Sequence, residues 1–297
     1  MNSRKSLGLF LLVGVLWGVP YLFIKIAVAE FSTPMVVFSR VLIGALILLP
    51  IAIKQGAIAP AKKYWKLIIV YAILEMVGPW YLITTAEKSI TSGLAGLLIA
   101  TVPIWATLLA SASGDTTVWH SKRLFGLVIG FIGVFALVGV DALSGATDLA
   151  GVLMVLLSAF LYAFATNMIS TKAPEVPGIA VSGISMAITA VIFVIPAALT
   201  FPTESPSLKA IYSLIGLGAL CTAAAFYYFF KLLAQVGSAR ASVVTYVNTA
   251  VAIGLGVILI DEPLTLGIFI GFPLVLIGSY LASRKNLPVT TKSNQGF

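Results

Sequence analysis

The chain has 297 residues, of which 60% are hydrophobic and 9% are charged, a composition typical of an integral membrane protein. Its single cysteine, Cys221, excludes an internal disulfide framework and a cysteine-ligated zinc cluster. The chain has a net charge of +8 but no long run of Lys or Arg, so we expect no nucleic-acid partner.

Ten apolar segments of about 20 residues follow one another along the chain, each long enough to cross a hydrocarbon layer ~30 Å thick as a helix. In lipid the backbone must satisfy its own polar groups, so such spans are helices. The predicted spans are 7–29, 34–54, 65–86, 91–112, 122–141, 149–171, 177–200, 208–234, 240–260 and 264–283. The sequence therefore predicts an all-α protein with ten transmembrane helices in a lipid bilayer.

Basic residues lie mainly on one side of this predicted bundle. With a cytoplasmic N-terminus, 14 of the 18 Lys and Arg residues fall in inner loops or at inner helix ends, while Lys25 and Arg40 lie within helices. The positive-inside rule then places both termini in the cytoplasm, in a multi-pass protein of the cell (inner) membrane. The acids predicted to lie outside are Glu30, Glu87, Asp141, Asp148, Glu204, Asp261 and Glu262.

The chain divides into two halves, 7–141 and 149–283, each with five predicted spans, followed by a tail, 284–297, predicted to be disordered and cytoplasmic. The halves share weak, ordered similarities: Gly126-x3-Gly130 opens the fifth span as Gly267-x3-Gly271 opens the tenth. Because five is an odd number, the second half enters the membrane from the opposite side. This pattern predicts an inverted-topology repeat, the arrangement of many alternating-access carriers.

One face of the first predicted helix combines aromatic rings, a cation and small residues. At about 100° of turn per residue, this face spans ~100°. Its members are Gly14, Trp17, Gly18, Tyr21 and Lys25. Pro20 lies nearby and removes a backbone donor, which favours a kink.

Glu75 is the only acid within an apolar span, near the middle of the third predicted helix. An unpaired carboxylate at that depth is costly, so we expect Glu75 to be protonated, paired or facing water. Its candidate ion-pair partners are Lys25 and Arg40. Pro79 follows one turn later, so the helix can be discontinuous there, and Trp80 and Tyr81 come next.

Hydroxyl, amide and aromatic side chains form further stripes, with Trp105 beside Pro103 in the fourth span and Tyr162 with Asn167 in the sixth. Tyr227 precedes Lys231 by one turn in the eighth, and the ninth contains Tyr246 and Asn248. Together these stripes predict a cavity with few fixed charges and several aromatic faces. Such a cavity suits a small amphipathic or aromatic solute better than a bare ion or a polyphosphate.

These residues resemble a known family. Trp17-Gly18-x-Pro20-Tyr21-x3-Lys25 with Ser39-Arg40, and Gly237-Ser238-Ala239-Arg240-Ala241-Ser242 with Asp261-Glu262-Pro263-Leu264, are similar to signatures of EamA-type permeases of the drug/metabolite transporter superfamily. The resemblance is strongest to the aromatic amino acid exporters. It implies two inverted five-helix repeats around a cavity formed by helices 1, 3, 4, 6, 8 and 9. In the ninth helix, Ala250 or Thr249 replaces the family's usual proline, so equal kinking of the two halves is not implied.

By the same resemblance, seven aromatic residues match positions that line the substrate cavity: Trp17, Tyr21, Trp80, Trp105, Tyr162, Tyr227 and Tyr246. The stripes add the other predicted substrate-binding residues: Lys25, Arg40, Glu75, Tyr81, Asn167 and Asn248. Pro20, Pro79 and Pro103 are the predicted kink positions.

We therefore expect an exporter of small organic solutes, above all aromatic or bulky apolar amino acids, that works by alternating access without a cofactor or a metal. The alternatives are a related carrier of a nucleotide sugar, a phosphorylated metabolite or a cationic drug. An enzyme is not expected, because the chain lacks a His-Glu-x-x-His pair and a paired-Asp site at membrane depth. A channel filter sequence is also absent. A monomer fits this arrangement, although the sequence leaves the oligomeric state open.

Overall fold

The computed structural model describes residues 4–112, 114, 121–143, 148–236, 241 and 244–283, and this part of the chain contains helices and connections but no strand. It forms ten helical rods. The continuous rods are α1 (Arg4–Ala27), α2 (Thr33–Lys54), α5 (Ser121–Leu143), α6 (Leu149–Lys172), α7 (Gly178–Leu199), α9 (Val244–Ile260) and α10 (Leu266–Ser283). The other three rods, α3, α4 and α8, change helix type or are interrupted along their length.

Seven of the rods (α1 to α4 and α6 to α8) are long and apolar enough to cross a membrane. The rods α9 and α10 are shorter apolar helices, and α5 has 23 residues with Lys122 and Arg123 in its first turn. The multi-pass membrane character is therefore confirmed, while ten crossings remain a prediction. The predicted tail, 284–297, and most of the motif at 237–242 lie outside the described residues.

The rods α3 and α8 each contain a π-helical segment near the middle. The rod α3 runs from Ile58 to Ala86 and begins with a short helix, Ile58–Ala61, and a 3-10 turn, Lys62–Tyr64. Its π segment is Ile73–Val77, between Trp65–Ala72 and Gly78–Ala86, and that of α8 is Ala219–Ala224, between Leu208–Gly218 and Ala225–Val236. The Gly78 N–H bonds to the Ile73 carbonyl five residues back, and Pro79 has no N–H with which to continue an ordinary ladder. Such segments are frequent at functional sites. The predicted discontinuity at Pro79 is present, and α8 has one without a proline.

The rod α4 is interrupted between its two helices, Ser92–Ile99 and Val102–Ala112. Pro103 cannot donate a backbone hydrogen bond, and the Ala100 N–H turns to the Leu97 carbonyl three residues back. The break thereby frees carbonyl groups, and hydroxyls of the second half approach them. Ser279 Oγ donates to the Ala100 carbonyl at 2.8 Å, and Thr249 Oγ1 lies 3.2 Å from the Gly96 carbonyl. The counterpart rod α9 is a continuous helix, so the two halves are not kinked equally.

The rods pack in a pattern that repeats between the halves. The rod α1 packs against α8 and α9, and α6, its counterpart five rods later, packs against α3 and α4. The rod α2 packs on its own counterpart α7, and α5 packs on α10. Close approach at the α5–α10 crossing requires glycine, because a Cβ at Gly278 would overlap the backbone of Gly130.

Candidate functional site

Arg40 of α2 is held deep in the bundle by two contacts. Its guanidinium carbon lies 3.7 Å from the centroid of the Trp80 ring on α3, a cation–π arrangement. Its Nε donates to Thr222 Oγ1 at 2.8 Å, within the π segment of α8. Among the described residues this is the one hydrogen bond given to the guanidinium, so its other N–H groups remain available. The rod α2 was not among the six cavity helices that the resemblance implied.

Glu75 lies in the π segment of α3, and its Oε2 is buried without a hydrogen-bond partner in the described chain. It interacts electrostatically with Tyr71 and with Tyr162 of α6. Neither candidate ion pair, Glu75 with Lys25 or Glu75 with Arg40, is formed in the described residues. Lys25 Nζ instead donates to the carbonyls of Glu87 and Ile90, at 2.7 and 2.8 Å.

Five of the predicted residues form what we call the central cluster: Tyr21, Arg40, Glu75, Trp80 and Tyr162. Tyr162 interacts electrostatically with Tyr21, Arg40 and Glu75, so it is a neighbour of both the cation and the acid. Arg40, Glu75 and Tyr162 are each half-buried, so neighbouring protein atoms leave part of every one of these side chains uncovered.

A second aromatic group lies where α1 meets α8. The Trp17 ring is 5.8 Å from Phe226 and 4.6 Å from Phe229, measured between centroids. On the same rod, Tyr227 lies beneath Lys231, whose Nζ is 4.3 Å from the ring centroid. Trp17 therefore belongs to the α1–α8 interface, whereas Tyr227 packs against a buried cluster of α2, α3, α6 and α7 residues that includes Trp80. No direct contact between either residue and Arg40 or Glu75 is seen in the described residues.

Other predicted site residues point elsewhere. Tyr81 is 41% exposed and stacks on Phe193 of α7, with 6.0 Å between centroids, so it faces the periphery. Trp105 packs edge-on against Phe131 and Phe160, and its Nε1 is buried without a hydrogen-bond partner among the described groups. Helical periodicity assigns residues to a face of their own helix, but it does not say what that face meets.

Three more predicted residues are likewise apart from the central cluster. Tyr246 approaches Tyr280 of α10 at 6.5 Å. Asn248 is 5% exposed, and its backbone carbonyl lies against Gly18 of α1. Asn167 is half-buried near the end of α6, where its carbonyl lies within hydrogen-bonding distance of the hydroxyls of Ser170 and Thr171.

Glu87 is a buried acid that the sequence placed on the outer surface. Its exposure is 0%, and neither carboxylate oxygen has a hydrogen-bond partner within the described ranges. It interacts electrostatically with Lys25, whose ammonium binds the Glu87 backbone carbonyl, and less strongly with Glu262 and Arg40. The spacing of Glu87 from the apolar Ile83 and from Thr84, at i+4 and i+3, was a signal of burial because these residues share one helix face.

Acidic side chains accept hydrogen bonds that join the α1–α2 connection to α7–α8, and the α5–α6 and α9–α10 connections to α3–α4. Lys25 near the end of α1 also binds the α3–α4 connection, so all five connections lie on one face. We call it the outer face, as the charge pattern predicts. Glu30 accepts from the Ser207 N–H and hydroxyl, both at 2.6 Å, at the start of α8. Glu262 accepts from the Ser92 N–H and hydroxyl, both at 2.7 Å, at the start of α4. Asp148 accepts from the Ser89 hydroxyl at 2.6 Å. A carboxylate at a helix N-terminus is stabilised by the free N–H groups and the helix dipole.

These hydrogen bonds affect the acids that are outside the helices. Donation from the Ser207 hydroxyl and backbone N–H lowers the pKa of the Glu30 carboxyl below its usual value. Donation from the Ser89 hydroxyl lowers the pKa of Asp148 in the same way. On the opposite face, the Tyr64 hydroxyl donates to Glu175 and lowers the pKa of that carboxyl. The Glu175–Tyr64 contact joins the α6–α7 connection to the start of α3, as the Glu30–Ser207 contact joins α1–α2 to α8.

Comparisons with known proteins identify relatives along most of the chain. An uncharacterized transporter, YvbV of Bacillus subtilis (strain 168), is 26% identical over 296 residues, covering 96% of this chain and 93% of its own. The uncharacterized inner membrane transporter YedA of Escherichia coli (strain K12) is 25% identical over 298 residues, covering 96% of both chains. One solved crystal structure covers 95% of this chain and 97% of its own at 18% identity, with a TM-score of 0.66, and supports the fold.

The model of the EamA-like transporter family matches the chain twice, at residues 4–139 and 149–284. The two matches show that the chain is built from a repeated domain. The family and the names of the relatives agree with the expectation that the protein moves a solute and does not catalyse a reaction. The protein is therefore a multi-pass membrane solute transporter that belongs to the EamA-like transporter family.

Proposed function

We propose that this transporter exports zwitterionic organic solutes, above all aromatic or bulky apolar amino acids, by alternating access to a cavity lined by the central cluster. The observation that carries the proposal is that a guanidinium with free N–H groups, Arg40, and a carboxyl group with an unsatisfied oxygen, Glu75, both interact with Tyr162 and are not paired with each other. A zwitterion offers a carboxylate to the first and an ammonium group to the second.

The energetic argument rests on the cost of unsatisfied polar groups. A buried polar group that lacks a hydrogen-bond partner costs about 1–3 kcal/mol, so the unsatisfied Glu75 oxygen and the free Arg40 N–H groups favour a ligand that satisfies both. A guanidinium recognises a carboxylate in a planar, bidentate geometry, and Trp80 and Thr222 hold Arg40 so that its outer N–H groups are available. The cluster is therefore suited to a dipolar head group.

Aromatic rings supply the other half of the recognition. Trp80 and Tyr21 are nearly buried, Tyr162 retains accessible surface, and all three belong to the central cluster. Rings in such positions bind an apolar or aromatic side chain by burial and by edge or stacked contacts. The proposed solute thus has a zwitterionic end near Arg40 and Glu75 and an apolar end against the rings.

The repeated domain supports alternating access. Exchanging the halves maps the α1–α9 contact onto the α6–α4 contact, and it maps one π segment onto the other. A second half inserted in the opposite sense, with both termini cytoplasmic in the cell inner membrane, would relate inward-open and outward-open forms by that exchange. In this structure the acids of the outer face join neighbouring connections by hydrogen bonds, and opening to that side would have to break these contacts. The π segments and the α4 break are the points at which the rods can bend.

The test is counterflow in proteoliposomes with labelled phenylalanine, tryptophan and threonine. We expect saturable exchange of phenylalanine and tryptophan, and weaker exchange of threonine. The absence of saturable flux for every amino acid would end the substrate proposal. Proton coupling through Glu75 is tested in the same vesicles, since Glu75→Gln with an unchanged pH dependence of flux would exclude that role.

A carrier of phosphorylated metabolites or nucleotide sugars is the second candidate, and one observation weighs against it. Such solutes favour several cations inside the bundle, yet Lys25 is bound by two backbone carbonyls, which leaves Arg40 as the available cation of the described central cluster. A cationic drug is disfavoured because Arg40 lies in the same cluster as Glu75.

A further inference from the structure

A groove of about 330 Å³ runs between α3 and α7 on the surface of the bundle, at the end opposite the outer face. Its walls are apolar, with Ile68 and Ile69 of α3 facing Ile184 and Ile188 of α7. Ala61, Lys62 and Trp65 complete the lining. From Lys62 to Ile69 the groove extends for roughly 10 Å along the rod. Its lining suits a hydrocarbon chain.

The residues around the Lys62 end are basic and aromatic. Lys62, Lys63 and Lys66 are exposed, as are Lys54 at the end of α2 and Lys172 at the end of α6. The acid of the described residues nearest to them, Glu175, accepts a hydrogen bond from Tyr64. Trp65 is 57% exposed, and Lys66 Nζ lies 5.5 Å from its ring centroid. An exposed Trp at the end of a membrane helix is typical of the lipid–water interface.

We propose that this groove is a binding site for one anionic phospholipid, with an acyl chain between α3 and α7 and the headgroup phosphate on Lys62 and Lys66. Charge complementarity selects an anionic lipid, because Lys62 lines the groove, Lys63 and Lys66 follow it along the chain, and Lys54 and Lys172 lie at the same end of the bundle. Basic pockets between membrane helices bind anionic headgroups for this reason. The acyl chain distinguishes a lipid from a free phosphate.

A second groove provides a built-in comparison. It has a volume of about 530 Å³ and lies between α5 and α6, where Phe131, Phe135 and Leu153 are among its apolar lining residues. Its lining contains no basic residue in the described chain. This groove should accept acyl chains without selecting a headgroup, so lipid selectivity is assigned to the α3–α7 groove.

The site is tested by thermal unfolding of the detergent-solubilised protein with added lipid. Dioleoyl phosphatidylglycerol should raise the melting temperature by several degrees more than dioleoyl phosphatidylcholine, because a ligand of the folded state stabilises it. The Lys62→Gln/Lys66→Gln double variant should lose this difference. The matched variant Lys88→Gln/Lys209→Gln removes the same charge from the outer side and should keep it.

Three results would overturn the proposal. These are equal stabilisation by both lipids, a phosphatidylglycerol effect retained without Lys62 and Lys66, or the same stabilisation by inorganic phosphate alone. A second variant tests the acyl groove separately: Ile184→Trp fills it, and should remove the phosphatidylglycerol effect although both lysines remain. Retention of the effect in Ile184→Trp would also contradict the assigned site.

Discussion

Arg40 and Trp80 form a stacked pair between α2 and α3, with the guanidinium carbon 3.7 Å from the centroid of the indole. The pair fixes the orientation of the cation, and Thr222 adds a hydrogen bond from the π segment of α8. Three rods from both halves of the chain therefore meet at one side chain. A change in the relative position of the halves must alter the surroundings of Arg40.

Arg40 variants should separate charge from geometry. Arg40→Gln removes the carboxylate partner, and a hydrogen bond to a charged group contributes about 1.5–3 kcal/mol, so the KM for a carboxylate solute should rise about tenfold to a hundredfold. Arg40→Lys keeps the charge but loses the planar fork, so it should restore only part of the affinity. Initial rates of counterflow at a series of solute concentrations give the KM of both variants. An unchanged KM in Arg40→Gln would exclude contact between Arg40 and the solute.

The Glu30–Ser207 contact should give the outer face a dependence on pH. Because the pKa of folded Glu30 is lowered from its usual value of 4.5, its stabilising contribution is complete above that value. The contribution is lost as the pH falls through the lower, folded pKa. The difference in melting temperature between wild type and Glu30→Gln should therefore be constant from neutral pH to about 4.5 and then shrink.

Glu204→Gln is the matched control, since Glu204 lies in the same α7–α8 connection and is exposed. It should leave the melting temperature close to wild type across this pH range. A Glu30→Gln difference that grows as the pH falls would contradict the assigned hydrogen bonds.

Ser279 should stabilise the break in α4. Its hydroxyl donates to the Ala100 carbonyl at 2.8 Å, and Ser279→Ala would leave that buried carbonyl without this donor. The expected loss of unfolding free energy is about 1–3 kcal/mol. Ser213→Ala is the control, because the Ser213 hydroxyl donates only to its own helix, at Lys209, and the removal should cost less. Equal effects of the two variants in thermal unfolding would show that Ser279 does not satisfy the break.

The α5–α10 crossing should tolerate no side chain at Gly278. A Cβ there would overlap Gly130, and overpacking of this kind costs about 1–3 kcal/mol, so Gly278→Ala should lower the melting temperature. Gly254→Ala is the comparison, since a Cβ at Gly254 meets nothing within 4 Å. It should be neutral or slightly stabilising. An unchanged melting temperature in Gly278→Ala would mean that α5 and α10 can move apart without loss of stability.

The helical spans were predictable because length and hydropathy alone decide whether a segment can cross lipid. The discontinuity of α3 was also predictable, since Pro79 removes a backbone donor. The π segment of α8 had no such signal, because it contains no proline and meets Arg40 of another rod through Thr222. The position of a side chain along the membrane normal was also hard to predict. Lys25 shares a helix face with Trp17 but lies eight residues further along, about 12 Å, and reaches the outer face instead of Glu75.

The candidate site was predicted in composition more than in arrangement. Arg40, Glu75, Trp80, Tyr21 and Tyr162 are brought together. Tyr81 shares α3 with Glu75 and Trp80 but faces the periphery, and Trp105 of α4 packs against Phe131 and Phe160 instead. A helical stripe gives the direction of a side chain around its own axis, and the neighbouring rod decides whether that direction is the cavity or the lipid. Glu87 was missed for the same reason, because the connections that cover it come from distant parts of the chain.

Competition with analogues of phenylalanine in the counterflow assay tests the central cluster most directly. Hydrocinnamate retains the carboxylate and lacks the ammonium group, whereas phenethylamine retains the amine and lacks the carboxylate. Both should compete more weakly than phenylalanine against the wild type. Arg40→Gln should remove the advantage of phenylalanine over phenethylamine, and Glu75→Gln its advantage over hydrocinnamate. If both variants kept the wild-type order of the three solutes, Arg40 and Glu75 would not recognise a zwitterion, and the proposed cavity would be contradicted.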